Sequence, residues 1–134
     1  GCLNTVVGAD ALIDSLRVSR GALTLRDLID LASGGDPGCR QVIADAGVAI
    51  GTAVSALALV VDPERIVVGG ELAETGETLL AGMREAIGKR VMLGGQEGAE
   101  VVLASLGQKA EATGALALAI DAVPASGVMT QEAQ

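Results

Sequence analysis

The stretch ERIVVGGELAETG, Glu64 to Gly76, decides the fold. Ile66-Val67-Val68 is a β-branched run closed by the pair Gly69-Gly70, so it reads as a short buried strand ending in a turn. Glycines at the carboxyl end of a strand let a nucleotide or a sugar approach the backbone, and they also simply make turns. On the downstream side, Leu79, Leu80, Met83, Ile87 and Val91 share one helical face, and AEVVLASLG (99–107) reads as a second buried strand of parallel type. Strand, helix and strand make a βαβ unit.

Upstream, Pro63 ends a long helix that Asp36-Pro37 starts, an N-cap residue followed by proline at the first helical position. Val42, Ile43, Ala46, Ile50, Ala53, Val54, Leu57 and Val61 recur along it at helical spacing and are the expected core face. Gly47, Gly51 and Ser55 form a second stripe, small residues four apart, suited to backbone-to-backbone packing. Thr24 caps LRDLIDLAS, in which Leu25, Leu28, Ile29 and Ala32 face one way, and Gly34-Gly35 stop that helix. A first helix runs from Val6 to Leu16 on Val7, Leu12, Ile13 and Leu16, with Asn4 or Thr5 as its cap. A last one covers Lys109 to about Val123, and the tail 124–134 is of flexible composition.

Five helices and two strands are thus expected, an α/β arrangement rich in helix. Two parallel strands bury too little alone, which predicts an incomplete sheet or completion in an oligomer. The composition supplies core without aromatic residues: half of the 134 residues are hydrophobic and none is Phe, Tyr or Trp. Histidine is absent too, which excludes imidazole-based catalysis. The net charge of −8 opposes direct contact with nucleic acid or anionic lipid. No apolar run is read as a membrane span, and two widely spaced cysteines suit a reducing cytoplasm.

Individual chemistry-bearing residues read modestly. Glu71, Glu74 and Glu77 lie around a helix start, where negative charge complements the dipole, and no second acidic segment completes a metal cage. Gly94-Gly95 and Gly107 read as connections. Cys39, in the first turn of the long helix beside Arg40, is either a reactive thiol or, the preferred reading, a small buried hydrophobe. Cys2 alone cannot close a zinc site, which needs four ligands.

Taken together, GCLNTVVGADALI (1–13), GDPGCRQVIADAGVAIGTAVSALALVVDPERIVVGGELAETGETLL (35–80) and LGQKAEATGALALAI (106–120) resemble the carboxyl-terminal part of the ROK family, bacterial repressors and sugar kinases. The resemblance covers residues 1 to about 123 and implies a partial actin-like, ribonuclease-H-like ATPase lobe. It implies that Cys2 is the last ligand of a zinc motif, Cys-x-Cys-Gly-x-x-Gly-Cys-Leu-Glu, whose other ligands lie upstream. Asn4 stands where the family usually has a sugar-binding glutamate, and Gly69 and Gly70 match its adenosine motif. No catalytic residue is expected in this stretch, since the family's catalytic aspartate and phosphate loops belong upstream. CLNTVVGADALI and GGELAETGETLL are similar to regulator spellings more than to kinase ones. The resemblance therefore implies a sugar-responsive regulator with a sugar or phosphosugar effector, DNA contact only through a separate amino-terminal domain, and self-association. An ATP-dependent sugar kinase, or an oligomerisation module that binds no small molecule, are the alternatives.

Overall fold

The computed structural model describes residues 2–94 and 99–122. They fall into two compact units that divide between Ala104 and Ser105. In the first, α1 (Asn4–Val7) is a single turn, followed by α2 (Ala9–Arg20), α3 (Leu25–Ser33), α4 (Pro37–Val61), β1 (Arg65–Val68), a 3-10 turn (Glu71–Thr75), α5 (Glu77–Gly94) and β2 (Glu100–Leu103). The second carries a 3-10 turn (Gly107–Lys109) and α6 (Ala110–Ala122), on which Leu116, Leu118 and Ile120 are exposed. Five helices longer than one turn and two strands match the sequence expectation. The side chain of Val91, Gly95 and the expected tail lie outside the described residues.

The first helix differs from its reading. Gly8 adopts extended backbone, with ψ 153°, and breaks the run into α1 and α2. Asn4 and Thr5 accordingly sit inside α1 and cap nothing; Leu3 and Gly8 are the N-cap residues, and neither makes a side-chain cap.

The α3–α4 junction follows its sequence signals closely. Thr24 and Asp27 exchange hydrogen bonds in a capping box, Thr24 Oγ1 accepting from the Asp27 N–H and Asp27 Oδ2 accepting from the Thr24 N–H. At the other end Asp36 N–H donates to Leu31 C=O and Gly35 N–H to Ala32 C=O, with Gly35 at φ +94°. That is a Schellman closure, and it needs a residue tolerant of the left-handed region at position 35. One residue later Asp36 caps α4, accepting from Cys39 N–H at 2.9 Å.

α4 and α5 pack at backbone distance. A Cβ built on Gly47 would lie 2.3 Å from Leu79 O, one on Gly51 2.6 Å from Met83 O, and one on Gly82 2.5 Å from Ala44 O. The small-residue stripe Gly47, Gly51 and Ser55 is therefore buried along with Ile43 and Ala46 of the expected apolar face, while that face's last members, Leu57 and Val61, are exposed. Where helices meet at their backbones, the glycine stripe marks the contact line, and the larger residues beside it are buried only where other elements cover them, as at Ile43. Leu79, Leu80, Met83 and Ile87 supply the α5 side of the core, joined by Leu12, Leu16, Leu28 and Val101. α4 is 25 residues long and apolar enough to cross a membrane, contrary to the sequence reading that no run reaches that length. Here its glycine face is taken up by α5.

β1 and β2 are parallel, Arg65 opposite Glu100 through Val68 opposite Leu103. The strands are not buried on both faces as their β-branched runs suggested. Val101 is buried and Ile66 and Val68 half-buried, but Val67 is 62% exposed. One face is thus covered and the other is open, the arrangement expected of part of a larger sheet. The hydrogen bonds Glu100 N–H to Glu64 C=O and Ala104 N–H to Val68 C=O bracket the ladder. Val101 C=O turns to the other edge of β2, where Arg84 Nη2 donates to it at 3.1 Å. Arg84 thereby occupies a strand edge that would otherwise invite pairing.

Candidate functional site

Gly69 and Gly70 follow β1 and are both exposed. Gly70 has φ +99°, a conformation that side chains disfavour, and a Cβ there would meet nothing within 4 Å. Its backbone therefore faces open space. Gly69 is closer to its surroundings, a Cβ there lying 3.4 Å from the Ala104 methyl. Gly70 C=O accepts from Ala73 N–H, and buried Ala73 seats the 3-10 turn. Gly76, at φ +58°, ends that turn and starts α5.

Asn4 is exposed on α1, which packs against α2 and α4. Its amide makes no hydrogen bond among the described residues and lies over Gly8, whose Cβ would fall 2.8 Å from Asn4 Oδ1. The close approach of Asn4 to Gly8 was missed by sequence reasoning; a lone glycine interrupting a helical pattern was its signal. Asn4 and the Gly69-Gly70 turn sit on different elements, and no hydrogen bond or ion pair among the described residues joins them.

Cys2 is an exposed free thiol whose carbonyl accepts from Thr5 Oγ1. Among the described residues no group of His, Cys, Asp or Glu is arranged to hold a metal. Cys2 offers one sulfur donor and Cys39 is buried, so by themselves the described residues do not fit a zinc ion.

The remaining candidates have structural roles. Cys39 is fully buried, and burial first, then the adjacent Asp36 carboxylate, pushes its thiol upward, away from reactivity. Glu77 pairs with Arg84 at 2.5 Å. Glu74 pairs with Arg26 at 2.6 Å, an ion pair across 48 residues that no sequence pattern signals. Arg26 also binds Asp30 Oδ1 through Nε and Nη2, and Asp30 first, then Glu74, raise its pKa. A shallow depression of about 720 Å3 beside α3 is lined by Asp27, Asp30, Asp36, Leu23 and Leu31. All three carboxylates are already engaged, by Thr24, by Arg26, and by Cys39 N–H with Arg20.

Asp36 gives a pH prediction. The Cys39 N–H chiefly, with Arg20 also contributing, holds its carboxyl below the ordinary value of 3.8. A depressed carboxylate contributes stability that is complete above its unfolded pKa and lost as pH falls through the folded one. The difference in melting temperature between wild type and Asp36→Asn should be full at neutral pH and narrow progressively below about pH 4. A difference independent of pH would contradict this assignment.

The α/β unit, the helical core packed at backbone distance and the glycine turn at the end of a parallel strand define part of an actin-like ATPase lobe, the class of the sugar kinases it resembles in structure. The chain belongs to the ROK family, whose model matches residues 1–122. It is 26% identical over 121 residues to a xylose repressor of Bacillus subtilis, covering 90% of this chain and 32% of the repressor. It is 31% identical over 94 residues to a glucokinase of Halalkalibacterium halodurans, covering 70% of this chain and 28% of the glucokinase. The chain thus spans about a third of the length of these curated relatives. Among solved structures it resembles a ROK family glucokinase from Streptomyces griseus in complex with glucose and AMPPNP. The TM-score is 0.72 at 25% identity, over 88% of this chain and 44% of that one.

Proposed function

We propose that this chain is the effector-binding portion of a sugar-responsive ROK transcriptional regulator. The observation that carries the reading is the free amide of Asn4, exposed and held over Gly8 at the position where the family places a sugar ligand. An amide both donates and accepts, which matches sugar hydroxyls, although it lacks the charge-assisted bonds of a carboxylate. The length of the match to the xylose repressor supports the regulator class, and xylose and glucose are the first sugars to test. DNA contact would come from a separate domain, in keeping with the acidic charge of this chain, and the protein would work in the cytoplasm.

The second reading is an ATP-dependent sugar kinase, favoured by the glucokinase relative and by the open backbone of Gly70. Full-length protein given sugar and ATP separates the two. A regulator takes up the sugar without releasing ADP, and sustained sugar-dependent ADP release makes it a kinase. A protein inert toward every sugar and toward ATP would instead be an oligomerisation module.

In the same reading Cys2 donates one thiolate to a zinc ion completed by residues outside this chain. Elemental analysis of the full-length protein should then find about one zinc per subunit, lost in Cys2→Ala. Equal zinc in both proteins, or none in the wild type, would remove Cys2 from the metal site. The open sheet face around Val67 supports burial in a larger assembly, and self-association is read by sedimentation of the full-length protein.

A further inference from the structure

The segment Glu71–Thr75 is bounded by two glycines in the left-handed region, Gly70 at φ +99° and Gly76 at φ +58°. Such glycines make good hinges because their backbone crosses this region without steric penalty. The turn between them has no side-chain cap, and its tethers to the body include buried Ala73, half-buried Leu72 and the ion pair from Glu74 Oε2 to Arg26 Nη1. Arg26 is itself held on α3, where Nε and Nη2 both engage Asp30 Oδ1, at 3.1 and 2.8 Å. The guanidinium therefore reaches Glu74 from a fixed position, and its planar fork is suited to that task in a way that an ammonium is not.

We propose that Arg26 is a positioning residue for the Gly69-Gly70 turn: through Glu74 it latches the glycine-bounded segment against α3 and so fixes the open backbone of Gly70 toward an incoming ligand. This rests on the second reading above, in which the Gly69-Gly70 turn faces an adenine nucleotide, and ATP is the probe. Arg26 is 54% exposed and exposed pairs add little to global stability, so the effect should be local.

Hydrogen exchange on the full-length protein tests the latch directly. Arg26→Ala and Glu74→Ala should each speed exchange of the amides in residues 71–76 by about threefold or more, with α4 and α5 unchanged. The double variant should be no worse than either single one, and Arg26→Lys should recover part of the protection. Unchanged exchange, a rise throughout the chain, or additive single effects would each overturn the latch. In parallel titrations, Arg26→Ala should weaken ATP binding by about three- to tenfold and leave sugar binding intact. A wild type that binds ATP, with an Arg26→Ala variant that binds it equally well, overturns the positioning role. A wild type silent toward ATP overturns the ligand reading of Gly69-Gly70 instead.

Discussion

Gly51→Val should cost on the order of 3 kcal/mol or more and leave little stably folded protein. A Cβ on Gly51 would stand 2.6 Å from Met83 O and 2.7 Å from Met83 Cα, both main-chain atoms. No rotamer change relieves such a contact; α5 as a whole would have to withdraw, carrying Leu79, Leu80 and Met83 out of the core with it. Gly51→Ala is the more discriminating variant because two effects oppose. Alanine is better than glycine in a helix by about 1 kcal/mol, whereas overpacking costs about 1–3 kcal/mol. Against main-chain atoms at 2.6 Å the overpacking wins, so this variant is destabilised. Gly88→Ala, with nothing within 4 Å of its added methyl, should move the other way and gain up to about 1 kcal/mol. Denaturant midpoints of the three variants check the prediction, and a stabilised Gly51→Ala would contradict backbone packing of α4 on α5.

The second large effect is on sugar binding. Asn4→Ala should weaken the effector by about ten- to a hundredfold, because it removes the amide and leaves sugar hydroxyls without their partner. Asn4→Glu should tighten it several-fold, since charge-assisted hydrogen bonds are roughly twice as strong as neutral ones. Both variants should fold normally, because the side chain is exposed and makes no hydrogen bond among the described residues. A circular dichroism spectrum unchanged from wild type would confirm that the loss is one of binding.

How much of this was legible depends on whether the signal is local. The start after Thr24, the stop at Gly35 and the Asp36-Pro37 start are written in adjacent residues and formed as read, and Asp27 adds the second half of a capping box. The stripe of Gly47, Gly51 and Ser55 was legible as close packing, since spacing alone places those residues on one face. What spacing could not show is that this stripe would be buried together with Ile43 and Ala46 of the larger apolar face, while the end of that face, Leu57 and Val61, stays exposed. That depends on the partner helix contributing Gly82 at the crossing. The strands were misjudged in burial for a related reason: Ile66-Val67-Val68 carries the composition of a strand covered on both faces, but among the described residues one face is covered and Val67 is exposed. Of the candidate site, Gly69 and Gly70 were legible from their place after a strand, and Asn4 and Cys2 took their roles from the resemblance. Arg26 and Glu74 meet only through the fold, and Gly8 matters because a Cβ there would meet the main-chain oxygen of Asn4 at 2.4 Å and its amide oxygen at 2.8 Å.

The central claim, that Asn4 helps bind a sugar effector, is tested most directly by isothermal titration of the full-length protein with xylose and with glucose, wild type beside Asn4→Ala. The predicted result is saturable heat with at least one sugar in the wild type, lost or weakened at least tenfold in the variant. Equal binding by the two proteins, or silence of the wild type toward both sugars, would contradict the account.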